Sequence, residues 1–160
     1  MRVLDASSII YAWDNYPPVI FPPLWGWMGQ CMREGRLVIP SVAFDEVQRK
    51  TPECAAWMLD QPVTRLPMTE AILLDALRIK GLIGVVGDRY HPKGVGENDL
   101  LIIATARAHQ ATLVTDEERQ LNPPREPTKV KIPAVCARPD VNVACENYLE
   151  FIKQARQVFG

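Results

Sequence analysis

Leu37-Val38-Ile39-Pro40, followed at once by Ser41-Val42-Ala43-Phe44-Asp45-Glu46-Val47-Gln48-Arg49, is the stretch from which the fold is read. Three consecutive apolar residues closed by proline suit a strand buried on both faces, because a strand with one wet face would alternate. Ser41 is placed to cap a helix running through Arg49, with Val42, Ala43 and Val47 as its apolar stripe. A doubly buried strand that passes directly into an amphipathic helix is the repeating unit of a parallel sheet.

The same alternation recurs on either side. Val3-Leu4 leads through Asp5 into a helix over Ser7–Trp13, and a second helix starts at Pro22-Pro23 and runs to Glu34 before Gly35. A shorter helix fits Glu53–Leu59. Thr69 caps the next, with Ile72, Leu73, Ala76 and Ile79 on one stripe and Gly81 as its stop. Residues 84–96 carry four glycines and a proline and read as a mobile loop. A helix over Asn98–His109 precedes a strand over Thr112–Thr115. Residues 122–129 read as loop, Val130-Lys131-Ile132 as an edge strand, and Val141–Val158 as the last helix. The expected fold is a single α/β domain over residues 1–160, its parallel sheet covered by helices on both faces.

Composition narrows the function. With 48% hydrophobic and 23% charged residues, the chain has the content of a globular domain and not of a disordered one. Eighteen Lys+Arg against nineteen Asp+Glu leave a net charge of −1, so any nucleic-acid surface must be local. Cys31, Cys54, Cys136 and Cys145 are widely spaced, without the C-x-x-C of a zinc or redox site. Reduced thiols, no apolar run long enough to span a membrane, and a first strand that leaves no room for a signal peptide lead to an expected cytoplasmic location.

The chemistry lies in the carboxylates. Ligands of open α/β sheets bind at the carboxyl ends of the strands, where strand order reverses. Asp5 follows the first strand, and Asp116 and Glu117 follow Thr112–Thr115. Glu46 lies four residues after Val42 and three after Ala43, so it shares their stripe, whereas Asp45 points elsewhere. Asp99 precedes Ile102, Ile103 and Ala106 by helical spacing and also faces inward. Separately, Asp5 can cap a helix, Asp99 can serve a helix dipole, and Asp116 and Glu117 can start a short helix. Clustered inward carboxylates are costly unless something cationic joins them. Mg²⁺ or Mn²⁺, which take hard oxygen ligands, would serve.

V-L-D-A-S-S-I-I-Y-A-W-D at 3–14 resembles the opening of PIN-like nuclease domains, in particular members beginning D-x-S-S-x-I-Y-A-W. V-I-P-S-V-A-F-D-E-V at 38–47, E-N-D-L-L-I-I-A-T-A at 97–106 and L-V-T-D-E at 113–117 resemble further parts of the PIN pattern, in the same order. The resemblance implies acids converging at one sheet edge, Mg²⁺- or Mn²⁺-dependent cleavage of RNA, and a toxin role opposite an antitoxin protein. Asp5, Glu46 and Asp99 match the first three acids. The T-x-D pattern puts Thr115 in the threonine slot and Glu117 in the fourth acid slot, with Asp116 the alternative, because neighbours on a continuing strand point oppositely. Ser7 matches the polar residue two beyond the first acid, and with Thr115 it is a candidate for binding substrate or supporting a ligand.

In the loop, Arg89 and Lys93 are candidates for phosphate contact, with Tyr90 beside them, and the loop for a lid. His91 and His109 lack partners at metal spacing. Trp25 and Trp27 are two apart on a helix and cannot both enter the core, so one is a candidate contact for a homodimer or an antitoxin. A phosphatase with Asp5 as nucleophile would want a second aspartate where Ser7 stands. A catalytically silent PIN-like module that binds RNA or protein, and a purely structural subunit that uses the tryptophans as an interface, are the remaining alternatives.

Overall fold

A computed structural model describes residues Met1–Gly160. Five strands form one parallel sheet: β1 (Arg2–Leu4), β2 (Leu37–Pro40), β3 (Arg65–Leu66), β4 (Thr112–Val114) and β5 (Cys145–Glu146), in the order β3-β2-β1-β4-β5. Eight helices surround it: α1 (Ala6–Asn15), α2 (Pro22–Arg33), α3 (Ser41–Lys50), α4 (Pro52–Asp60), α5 (Glu70–Leu82), α6 (Glu97–Ala108), α7 (Ile132–Ala137) and α8 (Tyr148–Ala155). All four residues of β2 are buried, so both faces of the sheet are covered. One continuous core of buried side chains joins sheet and helices, as an α/β layer fold requires.

The chain steps outward from β1 to β2 and β3 on one side, then returns to β4 and β5 on the other. Strand order therefore reverses between β1 and β4, the crevice in which such sheets bind ligands. The Asp5 amide donates to the Val114 carbonyl at 2.9 Å, which fixes the end of β1 against the end of β4.

Several sequence-based boundaries move. Val130-Lys131-Ile132 is not an edge strand: Pro133 favours a first helical turn there, and Ile132 opens α7. The edge strand is Cys145–Glu146, inside the segment read as the last helix, paired through Leu113↔Cys145 and Val114↔Glu146. That helix begins only at Tyr148, where the Asn147 side chain accepts from the Glu150 amide at 2.8 Å. Ser41 is already helical and makes no cap; Pro40 occupies the cap position. Leu73 faces out, leaving Ile72, Ala76 and Ile79 as the buried stripe of α5.

Trp25 is buried, edge to face with Trp13 and Trp57 at 5.2 and 4.8 Å. Trp27 does point away from it, as the helical angle demands, but Phe151 and Phe159 cover it, each at 5.3 Å. The outward tryptophan is thus occupied by the chain's own C-terminus.

Candidate active site

Asp5 follows β1 and takes the cap position of α1, yet its carboxylate makes no capping bond. Oδ2 instead accepts from the Ser7 hydroxyl at 2.5 Å and the Thr115 hydroxyl at 2.9 Å. These partners come from both sides of the crevice. The Ser7 oxygen in turn accepts from the Asp116 amide at 3.0 Å, and Thr115 Oγ1 from the Glu117 amide at 3.2 Å. Two hydroxyls therefore tie the β1 acid to the turn after β4. This turn begins because β4 stops at Val114, one residue earlier than the sequence reading has it. Alternation lapses beyond that point, and Asp116 and Glu117 both line the crevice.

The crevice opens into a cavity of about 390 Å³ lined by Asp5, Ser7, Glu46, Asp99, Asp116 and Glu117, with Lys50 and one face of α1 as its walls. All five candidate acids meet there. Asp5 is 3% exposed and has no cationic partner. Burial pushes its carboxyl above the usual range; the Ser7 and Thr115 hydroxyls oppose this, and the charges of Glu46 and Glu117 add to it. Asp99 is pushed up to about 6, first by burial and then by Asp5, Glu117 and Glu46, against the Gly96 amide, which donates to Oδ2 at 2.8 Å. Its helix-terminus role is therefore real, and it uses one oxygen. Asp116 also rises to about 6 through burial, with the Tyr148 amide opposing. Asp116 Oδ2 is buried without any hydrogen-bond partner. Glu46 is half-buried and pairs with Lys50 at 2.6 Å.

This donor set is hard, oxygen-only and in net excess of negative charge, as Mg²⁺ or Mn²⁺ requires. As the side chains stand, no three of them converge closely enough to hold an ion together. Magnesium keeps several of its waters when bound, so one or two carboxylates with water between the others meet its needs.

Arg89 and Lys93 are exposed and do not line the cavity. Their loop is no free lid over it. The Val95 amide donates to the Val130 carbonyl at 2.8 Å, and Gly94 lies so near the Thr128 carbonyl that any Cβ there would collide. The cation that does reach the acids is Lys50, four residues beyond Glu46. Ile10, Tyr11, Asp14 and Asn15 also line the cavity. With Ser7 they follow helical spacing along α1, a pattern visible in the sequence once Ser7 is placed in the site.

Residues 3–159 match the family model described as "Domain of unknown function (DUF4411)". No curated protein matches the sequence. Among solved structures, the chain is similar to one in the crystal structure of VapBC2 from Rickettsia felis bound to a DNA fragment from their promoter. That match has 20% identity and a TM-score of 0.56, over 91% of this chain and 97% of that one. It is also similar to a chain in the crystal structure of FitAcB from Neisseria gonorrhoeae, at 16% identity and a TM-score of 0.52, over 93% and 99% of the two chains. At such identities the likeness is one of fold, a parallel α/β sheet covered by helices.

Proposed function

This chain belongs to the DUF4411 family, and we propose that it is a Mg²⁺- or Mn²⁺-dependent ribonuclease, the toxin of a toxin–antitoxin pair in the cytoplasm. The observation that carries the reading is Asp5: a carboxylate buried at the strand-order reversal, held by two hydroxyls and no cation, beside the four other candidate acids and Asp14. A structural carboxylate so placed would have a cationic partner. The orphaned Asp116 Oδ2 supports the same reading, as a donor still lacking its partner. The toxin role rests on the ordered motifs at 3–14, 38–47, 97–106 and 113–117 and on the likeness to VapBC2 and FitAcB, which also suggests an antitoxin protein as partner.

Asp5, Glu46, Asp99 and the pair Asp116 and Glu117 would hold one or two cations, directly or through water. A bound divalent ion would acidify the attacking water and neutralise charge gathering on the phosphoryl group. Ser7 and Thr115 hold Asp5 in one orientation, and Ser7 couples it to the turn carrying Asp116. The Gly96 amide fixes Asp99 through Oδ2, and Asp99 lines the cavity. None of these side chains need act as a strong base.

The silent-module alternative draws on one observation, the engagement of Glu46 by Lys50. One assay separates the two: labelled single-stranded RNA with Mn²⁺ or with EDTA. Cleavage only with Mn²⁺, lost in Asp5→Asn, is the expected result. No cleavage under either condition, by a folded protein that still binds RNA, would favour the silent module.

A further inference from the structure

The last turn of α3 carries Arg49 and Lys50, three and four residues beyond Glu46. Lys50 lines the acidic cavity together with Ile10, Tyr11, Asp14 and Asn15 of α1. Arg49 lines an adjoining cavity of about 280 Å³ with Gly96, Glu97 and Asn98. Glu46 and Asp99 line both. The two cavities are thus one groove, with Glu46 and Asp99 as its saddle and a base on either side.

Basic residues at a helix end have a plain explanation in the helix dipole, and Lys50 has another in its Glu46 pair. Neither explains why the two bases fall in different arms of one groove. Arg49 is exposed and takes part in no ion pair, so nothing within the fold uses its charge. Asp5, Asp14, Glu46, Asp99, Asp116 and Glu117 face a single cation, Lys50, in the larger arm. A polyanion laid across so acidic a saddle is repelled over the phosphates next to the reacting one, even when a metal neutralises the centre. Positive charge is needed on both flanks.

We infer that Arg49 and Lys50 are phosphate-binding residues that grip the RNA backbone on opposite sides of the scissile phosphate. This rests on the ribonuclease reading and adds to it the track of the strand: along α1 past Lys50, over Glu46 and Asp99, and out past Arg49. The contacts are to phosphate, so they set affinity and register and not sequence preference.

The test is equilibrium binding of a fluorescein-labelled single-stranded RNA to the full chain by anisotropy, with Ca²⁺ as the divalent ion, between ~50 and ~200 mM salt. Each phosphate contact on a single strand contributes ~0.7 to the slope of log affinity against log salt. Arg49→Gln and Lys50→Gln should each lower the slope by ~0.7, and the double variant by ~1.4. Lys50→Arg should keep the parent slope, because the positive charge stays in place. With Mn²⁺, both Gln variants should raise KM more than they lower kcat. A parent that binds and cleaves RNA while Arg49→Gln and Lys50→Gln keep its slope would overturn the grip and spare the nuclease. So would loss of slope in Arg89→Gln and Lys93→Gln instead, which would put the track on the loop. A parent that neither binds nor cleaves RNA would overturn both.

Discussion

Asp5 and Glu146 are both buried carboxylates, 3% and 4% exposed, on strands that flank β4. Their surroundings differ in kind. Glu146 accepts from the Arg2 guanidinium at 3.0 Å, so its charge is balanced within the fold. Asp5 meets two hydroxyls and the fields of Glu46 and Glu117, and burial raises its pKa. The fold thus supplies a cation to one buried acid and withholds it from the other. On the proposed ribonuclease reading, the partner missing at the strand-order reversal comes from outside the chain.

The contrast is broken most severely at Asp5. Asp5→Asn should cost more than the ~10²-fold in RNA cleavage that disturbing outer-shell partners costs. The variant should melt no lower than the parent in EDTA, because it removes an unpaired buried charge. Retained cleavage in metal-depleted, metal-restored assays would refute the role given to Asp5.

Arg2→Leu tests the other side. Removing one partner strands Glu146 and should lower stability by about 2–3 kcal/mol, at or below the low end for broken buried pairs because Arg2 is itself 36% exposed. In a chain of this size that is a fall in Tm of ~5–10 °C. Cleavage by the protein that remains folded should be unchanged. An Arg2 variant as stable as the parent would show that Glu146 needs no partner and would weaken the comparison.

Acidity gives a third, smaller effect. Asp99 has its folded pKa raised to about 6, so between its ordinary value near 4 and about 6 the folded chain holds a proton that the unfolded chain has lost. This group therefore favours the fold at acid pH, and its contribution is lost as pH rises from ~4 through ~6. Metal-free protein should lose roughly 1–2 kcal/mol over that window from Asp99, an amount reduced for its partial exposure. Asp99→Asn should flatten the dependence in denaturant titrations at each pH. An unchanged slope would remove Asp99 from the coupled cluster.

The smallest effect concerns the neighbouring acids after β4. The sequence pattern favours Glu117, but β4 stops at Val114, and the buried, unpartnered oxygen belongs to Asp116. Asp116→Asn should then lower kcat several-fold more than Glu117→Gln. The opposite ranking would restore the T-x-D alignment.

Legibility followed the length and uniformity of each signal. Leu37–Pro40 and α3 were readable because a fully apolar strand and a clean stripe sit side by side, and the phase of that stripe placed Glu46. Strands β3 and β5 were not, since two residues cannot show a period. Val141–Glu146 reads as helix in the sequence, although Asn147 and Glu150 mark the true start. Asp5 was legible as a strand-end acid, but its hydroxyl clamp joins residues more than a hundred positions apart and could not be seen. Nothing in the sequence singles out Lys50, because a lysine at a helix end has an ordinary explanation. Arg89 and Lys93 drew notice through their glycines, whose role at Gly94 is close approach to Thr128.

Divalent-cation binding at the Asp5 cluster is the proposal on which the ribonuclease reading stands. Its most direct test is a pair of thermal melts at neutral pH, with EDTA and with Mn²⁺, on the parent and on Asp5→Asn. At ten times the dissociation constant, Mn²⁺ adds ~1.4 kcal/mol, a rise of ~3–6 °C in Tm for a domain of this size. That rise is expected in the parent, and little or none in Asp5→Asn. An equal rise in both proteins, or none in the parent, would contradict it.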